Sequence, residues 1–134
     1  MIDYTQLLKE YDLKVTPQRV AIVDELYVKG HLNIDEIYSS LKIKFPSISL
    51  ATIYKNINSM LTNIFITEVQ VPQQKTVYEL TKESHSHLVC KNCNKIEDIS
   101  LNTLPLFDDI SKRSSFKLEY VSIVFTGFCE GCSK

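Results

Sequence analysis

The fold hinges on Ser49-Leu50-Ala51-Thr52-Ile53-Tyr54-Lys55-Asn56-Ile57-Asn58-Ser59-Met60-Leu61. Ser49 is a natural N-cap, because its hydroxyl can accept an orphan N–H of the first turn. At about 100° per residue, Leu50, Ile53, Ile57, Met60 and Leu61 form one apolar stripe. Opposite it lie Ala51, Thr52, Lys55 and Ser59, with Tyr54 and Asn58 on one margin. That outer face lacks the Glu/Lys pairs that usually decorate a solvated helix.

Upstream, Tyr4, Leu7, Leu8 and Tyr11 recur at helical spacing. Thr16 then caps a helix with Pro17 at its first position, where a missing N–H costs nothing. That helix carries Val20, Val23, Leu26 and Tyr27 on one face and ends near Gly30. Ile34, Ile37, Tyr38 and Leu41 mark the next, stopped by the restriction Pro46 places on Phe45. Downstream, 64–71 and 76–80 are β-prone and joined by Pro72-Gln73-Gln74-Lys75, which predicts a hairpin. Helices followed by a hairpin, the last helix lightly charged outside, is the order of a winged helix-turn-helix. Its last helix would enter the major groove and its hairpin would form the wing.

From about residue 81 the texture changes to short strands. Residues 86–90 and 96–100 flank a Cys-Lys-Asn-Cys-Asn turn, Leu101, Leu104, Phe107 and Ile110 suit a helix, and 116–128 is a long β-rich stretch. The boundary falls at 81–84. The chain has 134 residues, 44% of them apolar, with three Gly and four Pro, so it is neither disordered nor low-complexity. No apolar run approaches the length of a bilayer span. The first residues lack the pattern of a signal peptide, which predicts a soluble, cytoplasmic protein. Lys and Arg number 8 against 9 Asp and Glu in residues 1–80, and 7 against 7 in 81–134. Nucleic-acid binding would therefore rest on local placement of charge.

All four cysteines fall in two pairs, Cys90-x-x-Cys93 and Cys129-x-x-Cys132. Structural disulfides do not suit a reducing cytosol. Two C-x₂-C turns can instead present four thiolates to one tetrahedral Zn²⁺. In a domain of some 50 residues that ion would supply folding energy a small core lacks. A thiol-redox pair would sit at the start of a helix after a strand. Here the first pair leads into Asn94-Lys95-Ile96 and another strand. His85 and His87, two apart, share one face of an extended segment, and Cys90 has the opposite parity, which predicts two separate metal sites. His31 lies in the loop between the second and third helices, Glu79 on the second hairpin strand and Asp98 on a later one.

Thr16-Pro17-Gln18-Arg19, Ala51-Thr52-Ile53-Tyr54, His85-Ser86-His87 leading to Cys90-Lys91-Asn92-Cys93, and Cys129-Glu130-Gly131-Cys132 occur in this order along nearly the whole chain. Together they resemble the Fur family of metal-responsive repressors. The resemblance implies an α+β protein with a winged helix-turn-helix DNA-binding domain over 1–80 and a hinge at 81–84. A small α/β homodimerisation domain with a four-cysteine structural zinc would follow over 85–134. It places structural Zn²⁺ on Cys90, Cys93, Cys129 and Cys132, and a regulatory Fe²⁺ or Mn²⁺ on His31, Glu79, His85, His87 and Asp98. Contacts to double-stranded operator DNA would fall on Arg19, Ser49, Thr52, Tyr54 and Lys55.

Within the family the chain looks most like the peroxide-sensing, PerR-like branch, which places aspartate at the position of Asp98. It departs at Glu79, where that branch often has aspartate, and at Lys55, where peroxide sensors tend to have Asn and iron sensors Arg. The branch implies that peroxide, acting through the bound iron, oxidises a ligating histidine at position 31 or 85. Such a protein is a single-use sensor and not an enzyme, with peroxide as its signal and no membrane partner. An iron-responsive repressor of the same fold is the alternative. A zinc-uptake regulator suits the site less, since the site lacks a thiolate. From other classes, a CxxC thiol oxidoreductase and a zinc-stabilised interaction module remain.

Overall fold

The computed structural model describes residues 3–119 and 121–133. Contacts divide the chain into two compact units, residues 1–82 and 83–134. Among the described residues, no helix is long and apolar enough to cross a membrane.

The first unit begins with α1 (Tyr4–Glu10), whose first turn is capped by the Asp3 carboxylate, accepting from the N–H groups of Thr5 and Gln6. In α2 (Pro17–Lys29) the Thr16 hydroxyl accepts from Arg19 N–H, and Gly30 closes the helix at φ 84°, a left-handed conformation that glycine tolerates. A two-residue strand, β1 (Leu32–Asn33), leads into α3 (Ile34–Lys44). There Asn33 and Glu36 form a reciprocal capping box, and the helix stops at Phe45, before Pro46. Ser49 caps α4 (Leu50–Thr62), as expected. The hairpin is β2 (Ile66–Val69) and β3 (Val77–Leu80), and β1 joins it to give the order β1-β3-β2, antiparallel throughout.

The core of this unit comprises Leu8, Ile22, Leu26, Ile37, Leu41, Ile53, Ile57, Met60 and Ile66, all fully buried. Each such side chain contributes about 1.5–3 kcal/mol of burial free energy, which is what holds four short helices and a small sheet together. Three expectations shift. On α2 the buried face is Ala21, Ile22, Val23 and Leu26, while Val20 is half-buried and Tyr27 is 55% exposed. α2 packs against α1, α3 and β3, so its buried arc is centred nearer Ile22 than sequence spacing suggests. Leu50, at the start of α4, is 39% exposed because the stripe begins one turn later, at Ile53. Ile64 does not begin the first hairpin strand. It takes φ 60° in the turn that leaves α4, where its N–H bonds Leu61 O at 3.0 Å and the N–H of Phe65 bonds Met60 O at 2.9 Å.

Among the described residues the second unit is a three-stranded sheet, β5-β4-β6, with one helix. β4 (Ser86–Cys90) and β5 (Ile96–Ile99) form an antiparallel hairpin across the cysteine turn. α5 (Leu104–Arg113) follows, with Leu101 ahead of it rather than on it. The β-rich stretch 116–128 is strand only at β6 (Val124–Gly127) among the described residues, and Tyr120 lies outside them. A strand extends only as far as it has a ladder partner, and β4 pairs with β6, in parallel, from His87↔Val124 to Cys90↔Gly127.

Candidate metal centres and nucleic-acid interface

The two C-x₂-C turns come together at one end of the second sheet. After β4 the chain reverses through 91–95, with Asn94 at φ 64°, and Cys90 N–H bonds Lys95 O at 2.9 Å. The parallel partner β6 delivers Cys129 and Cys132 to the same end, where Cys132 N–H bonds Cys129 O at 3.0 Å. The two turns converge so that all four Sγ atoms lie within 4.8 Å of one another, and Cys93 Sγ stands 3.8 Å from Cys129 Sγ. Thiolates at the corners of a zinc tetrahedron stand about 3.8 Å apart, given a Zn–S bond near 2.3 Å. All four cysteines are free, and this spacing is far beyond a disulfide bond.

The environment of the cluster is uneven. Backbone N–H groups, chiefly that of Cys93 and then that of Cys129, lower the Cys90 thiol to about 6. The Asn92 amide, 3.3 Å from Cys132 Sγ, favours the Cys132 thiolate. Hydrogen bonding among the neighbouring sulfurs and burial outweigh it and push that thiol up to about 11. Four thiolates this close would need a cation between them to offset their repulsion, and the donor set fits Zn²⁺.

The histidines and acids fall into two groups, one in each unit. In the first unit, β1 carries His31 to the edge of β3. The β1–β3 register pairs Leu32 with Tyr78, so the next pair outward is His31 with Glu79. His31 Nε2 lies 2.9 Å from Glu79 Oε2, and Glu79 is 3% exposed. In the second unit, His87 and Asp98 are directly opposed across β4 and β5. Asp98 Oδ1 stands 3.5 Å from His87 Nε2 and 3.6 Å from His85 Nε2, and the two rings meet edge to face at 4.5 Å. His85 Nδ1 is 2.8 Å from the Glu83 carbonyl, which can only accept. In the neutral ring the proton is then on Nδ1 and the lone pair on Nε2, as in many metal-ligating histidines. Cys90, of opposite parity to His87 on β4, belongs to the thiol cluster instead.

On the first unit, Tyr54 and Lys55 project from α4 as exposed residues. Ser49 and Thr52 have local tasks: Ser49 Oγ accepts from Thr52 N–H and lies 3.0 Å from the Thr52 hydroxyl. Arg19 is held between α2 and α4, its Nε donating to Asn56 Oδ1 at 3.1 Å and its Nη1 to Lys14 O at 2.9 Å. In the hairpin loop, Lys75 is ion-paired with Asp35 at the start of α3. Sequence reasoning missed β1, Asn92 and Asn56. Two residues make too short a run to show period 2, and a lone asparagine carries no signal until its neighbours are known.

The chain matches the ferric uptake regulator family over residues 10–126. It is similar to the peroxide operon regulator of Bacillus subtilis strain 168, 30% identical over 96% of this chain and 90% of that one. It is also similar to the ferric uptake regulation protein of the same organism, 31% identical over 90% and 85%. Among solved structures it resembles the Campylobacter jejuni peroxide stress regulator, 36% identical with a TM-score of 0.71, covering 98% of this chain and 100% of the other. A family match across most of the chain, with relatives aligned almost end to end, leaves one conclusion: the chain belongs to the ferric uptake regulator family of metal-responsive transcriptional regulators.

Proposed function

We propose that the protein is a metal-dependent, DNA-binding repressor that senses hydrogen peroxide through oxidation of a ligating histidine. The observation that carries this reading is the donor chemistry. His31 with Glu79, and His85 with His87 and Asp98, offer imidazoles and carboxylates without a thiolate. Such a set suits Fe²⁺ or Mn²⁺. Similarity to two peroxide regulators supports the same reading.

His31 and Glu79 belong to the unit that would grip DNA, while His85, His87 and Asp98 belong to the other. Ligands drawn from both would hold the units in one orientation, with 81–84 as the hinge. Within that stretch Thr81 bonds to the first unit, its N–H to Phe65 O at 3.1 Å and its hydroxyl to Ile64 O at 2.7 Å. A homodimer reading two half-sites about 34 Å apart is sensitive to that hinge. A roughly 100-fold preference of the ion for the DNA-competent arrangement is worth about 2.7 kcal/mol.

The second unit would form the dimer. Its α5 leaves Leu104 74% exposed, with Leu106 and Ile110 also exposed, and Phe125 and Phe128 are exposed on and after β6. Cys90, Cys93, Cys129 and Cys132 would hold a Zn²⁺ that fixes the sheet. Operator contacts would come from Arg19, Ser49, Thr52, Tyr54 and Lys55, in the cytoplasm. Bound Fe²⁺ would supply the redox chemistry with peroxide; the imidazole of His31 or of His85 would take up one oxygen atom and become a poor ligand.

The test is peroxide treatment of the iron-loaded and manganese-loaded proteins, followed by peptide mass spectrometry. The iron form should gain one oxygen on a peptide containing His31 or His85 and release its duplex. An iron form that releases the duplex only on chelation, with no histidine oxidised, would instead support an iron-responsive repressor. That second reading is favoured by Glu79 and by the similarity to a ferric uptake regulation protein.

A further inference from the structure

Arg19 reaches from α2 to α4 and ends in a groove lined by three cations, Lys14, Arg19 and Lys55, against one carboxylate, Asp12, with Tyr54 beside them. Its guanidinium is fixed at two points, by Asn56 Oδ1 at Nε and by Lys14 O at Nη1. The Asn56 amide is itself oriented, its Nδ2 donating to Thr52 O at 3.1 Å one turn back along α4, so its oxygen must face Arg19. Guanidinium has five N–H groups. With Nε and one Nη1 hydrogen engaged, both Nη2 hydrogens and the second Nη1 hydrogen have no partner among the described residues.

Both acceptors that hold Arg19 are neutral. A carboxylate at position 56 would make the stronger bond, since charge-assisted pairs exceed neutral ones. It would also cancel the cation on a unit whose overall charge shows no basic excess. We propose that Asn56 is a positioning residue for DNA binding: it docks Arg19 on α4 without neutralising it, leaving the outer guanidinium edge for a backbone phosphate. This rests on the DNA-binding reading above.

The test uses the manganese-loaded, zinc-containing protein and a duplex that the wild type has selected from a random-sequence pool. Affinity is measured across a salt series for wild type, Asn56→Ala, Asn56→Asp, Arg19→Gln and the double variant Arg19→Gln/Asn56→Asp. Asn56→Asp should bind about ten-fold more weakly. Its log–log salt slope should be shallower by about 0.9 for each unit that loses a phosphate contact. Asn56→Ala, which frees the cation but keeps its charge, should lose only a few-fold and keep the wild-type slope. In the Arg19→Gln background the Asn56→Asp effect should largely vanish, because there is no cation left to neutralise.

Wild-type affinity and slope for Asn56→Asp would overturn the proposal. So would an equal loss in both backgrounds, which would mean general repulsion of DNA. A wild type that selects no duplex would instead overturn the DNA-binding reading, and this one with it.

Discussion

His31 Nε2 and Glu79 Oε2 stand 2.9 Å apart because a strand of two residues, Leu32–Asn33, pairs with Val77–Leu80 in a register that sets position 31 opposite 79. The same Asn33 that ends this strand opens the next helix as half of a capping box. A loop histidine is thus held to the hairpin's innermost carboxylate by backbone hydrogen bonding rather than by its own side chain. A buried carboxylate without a partner is costly, and an imidazole or a cation answers that need.

His31→Ala should therefore abolish manganese-dependent duplex binding while leaving zinc content and dimerisation unchanged. Gel shifts with and without Mn²⁺, beside zinc quantification, check this. A variant whose binding still responds to Mn²⁺ would refute a role for residue 31 in coupling metal to DNA.

Cys93→Ser removes one of four sulfurs and should release zinc. Structural zinc supplies on the order of 10 kcal/mol in small zinc peptides, more than the small second unit can lose. Its sheet should unfold, with loss of the dimer in sedimentation and of zinc by colorimetric assay. A zinc-free variant that remains a folded dimer would count against a structural metal.

A buried and an exposed side chain of the first unit should respond unequally to truncation. Met60 is fully buried and Tyr27 is 55% exposed, with an edge-on contact to Tyr4 at 6.0 Å. Met60→Ala should cost about 2–5 kcal/mol and Tyr27→Ala under about 1 kcal/mol, read from denaturant unfolding. A cost at Tyr27 as large as a core truncation would mean that this residue lies on the buried arc of α2.

Ile110→Asp places a charge on the apolar side of α5 at a residue already 40% exposed in the single chain. It should leave the unfolding free energy of an isolated chain nearly unchanged but convert dimer to monomer in analytical ultracentrifugation. An unaltered dimer would place the contact elsewhere.

Much of this architecture is written in local chemistry. Thr16, Ser49 and Gly30 declare helix ends because caps are satisfied within a few residues. The cysteine pairs declare their turns for the same reason, and alternation along β4 separates His87 from Cys90 before any partner strand is known. Ile64 and Tyr27 depart from their sequence pattern because both sit where an apolar residue meets a boundary, and composition does not say which side of a boundary faces the core.

What the chain alone determined is every feature whose physics closes within one helical turn or one hairpin: the helices, the cap residues, the cysteine turns and the identity of the donors. Only tertiary structure decided which donors meet. The His31–Glu79 pair, the Asp98 bridge between two imidazoles, the Arg19–Asn56 dock and the gathering of four sulfurs depend on strand registers and helix rotations. Those are settled by burial summed over the whole unit, and no local stretch of residues carries that sum.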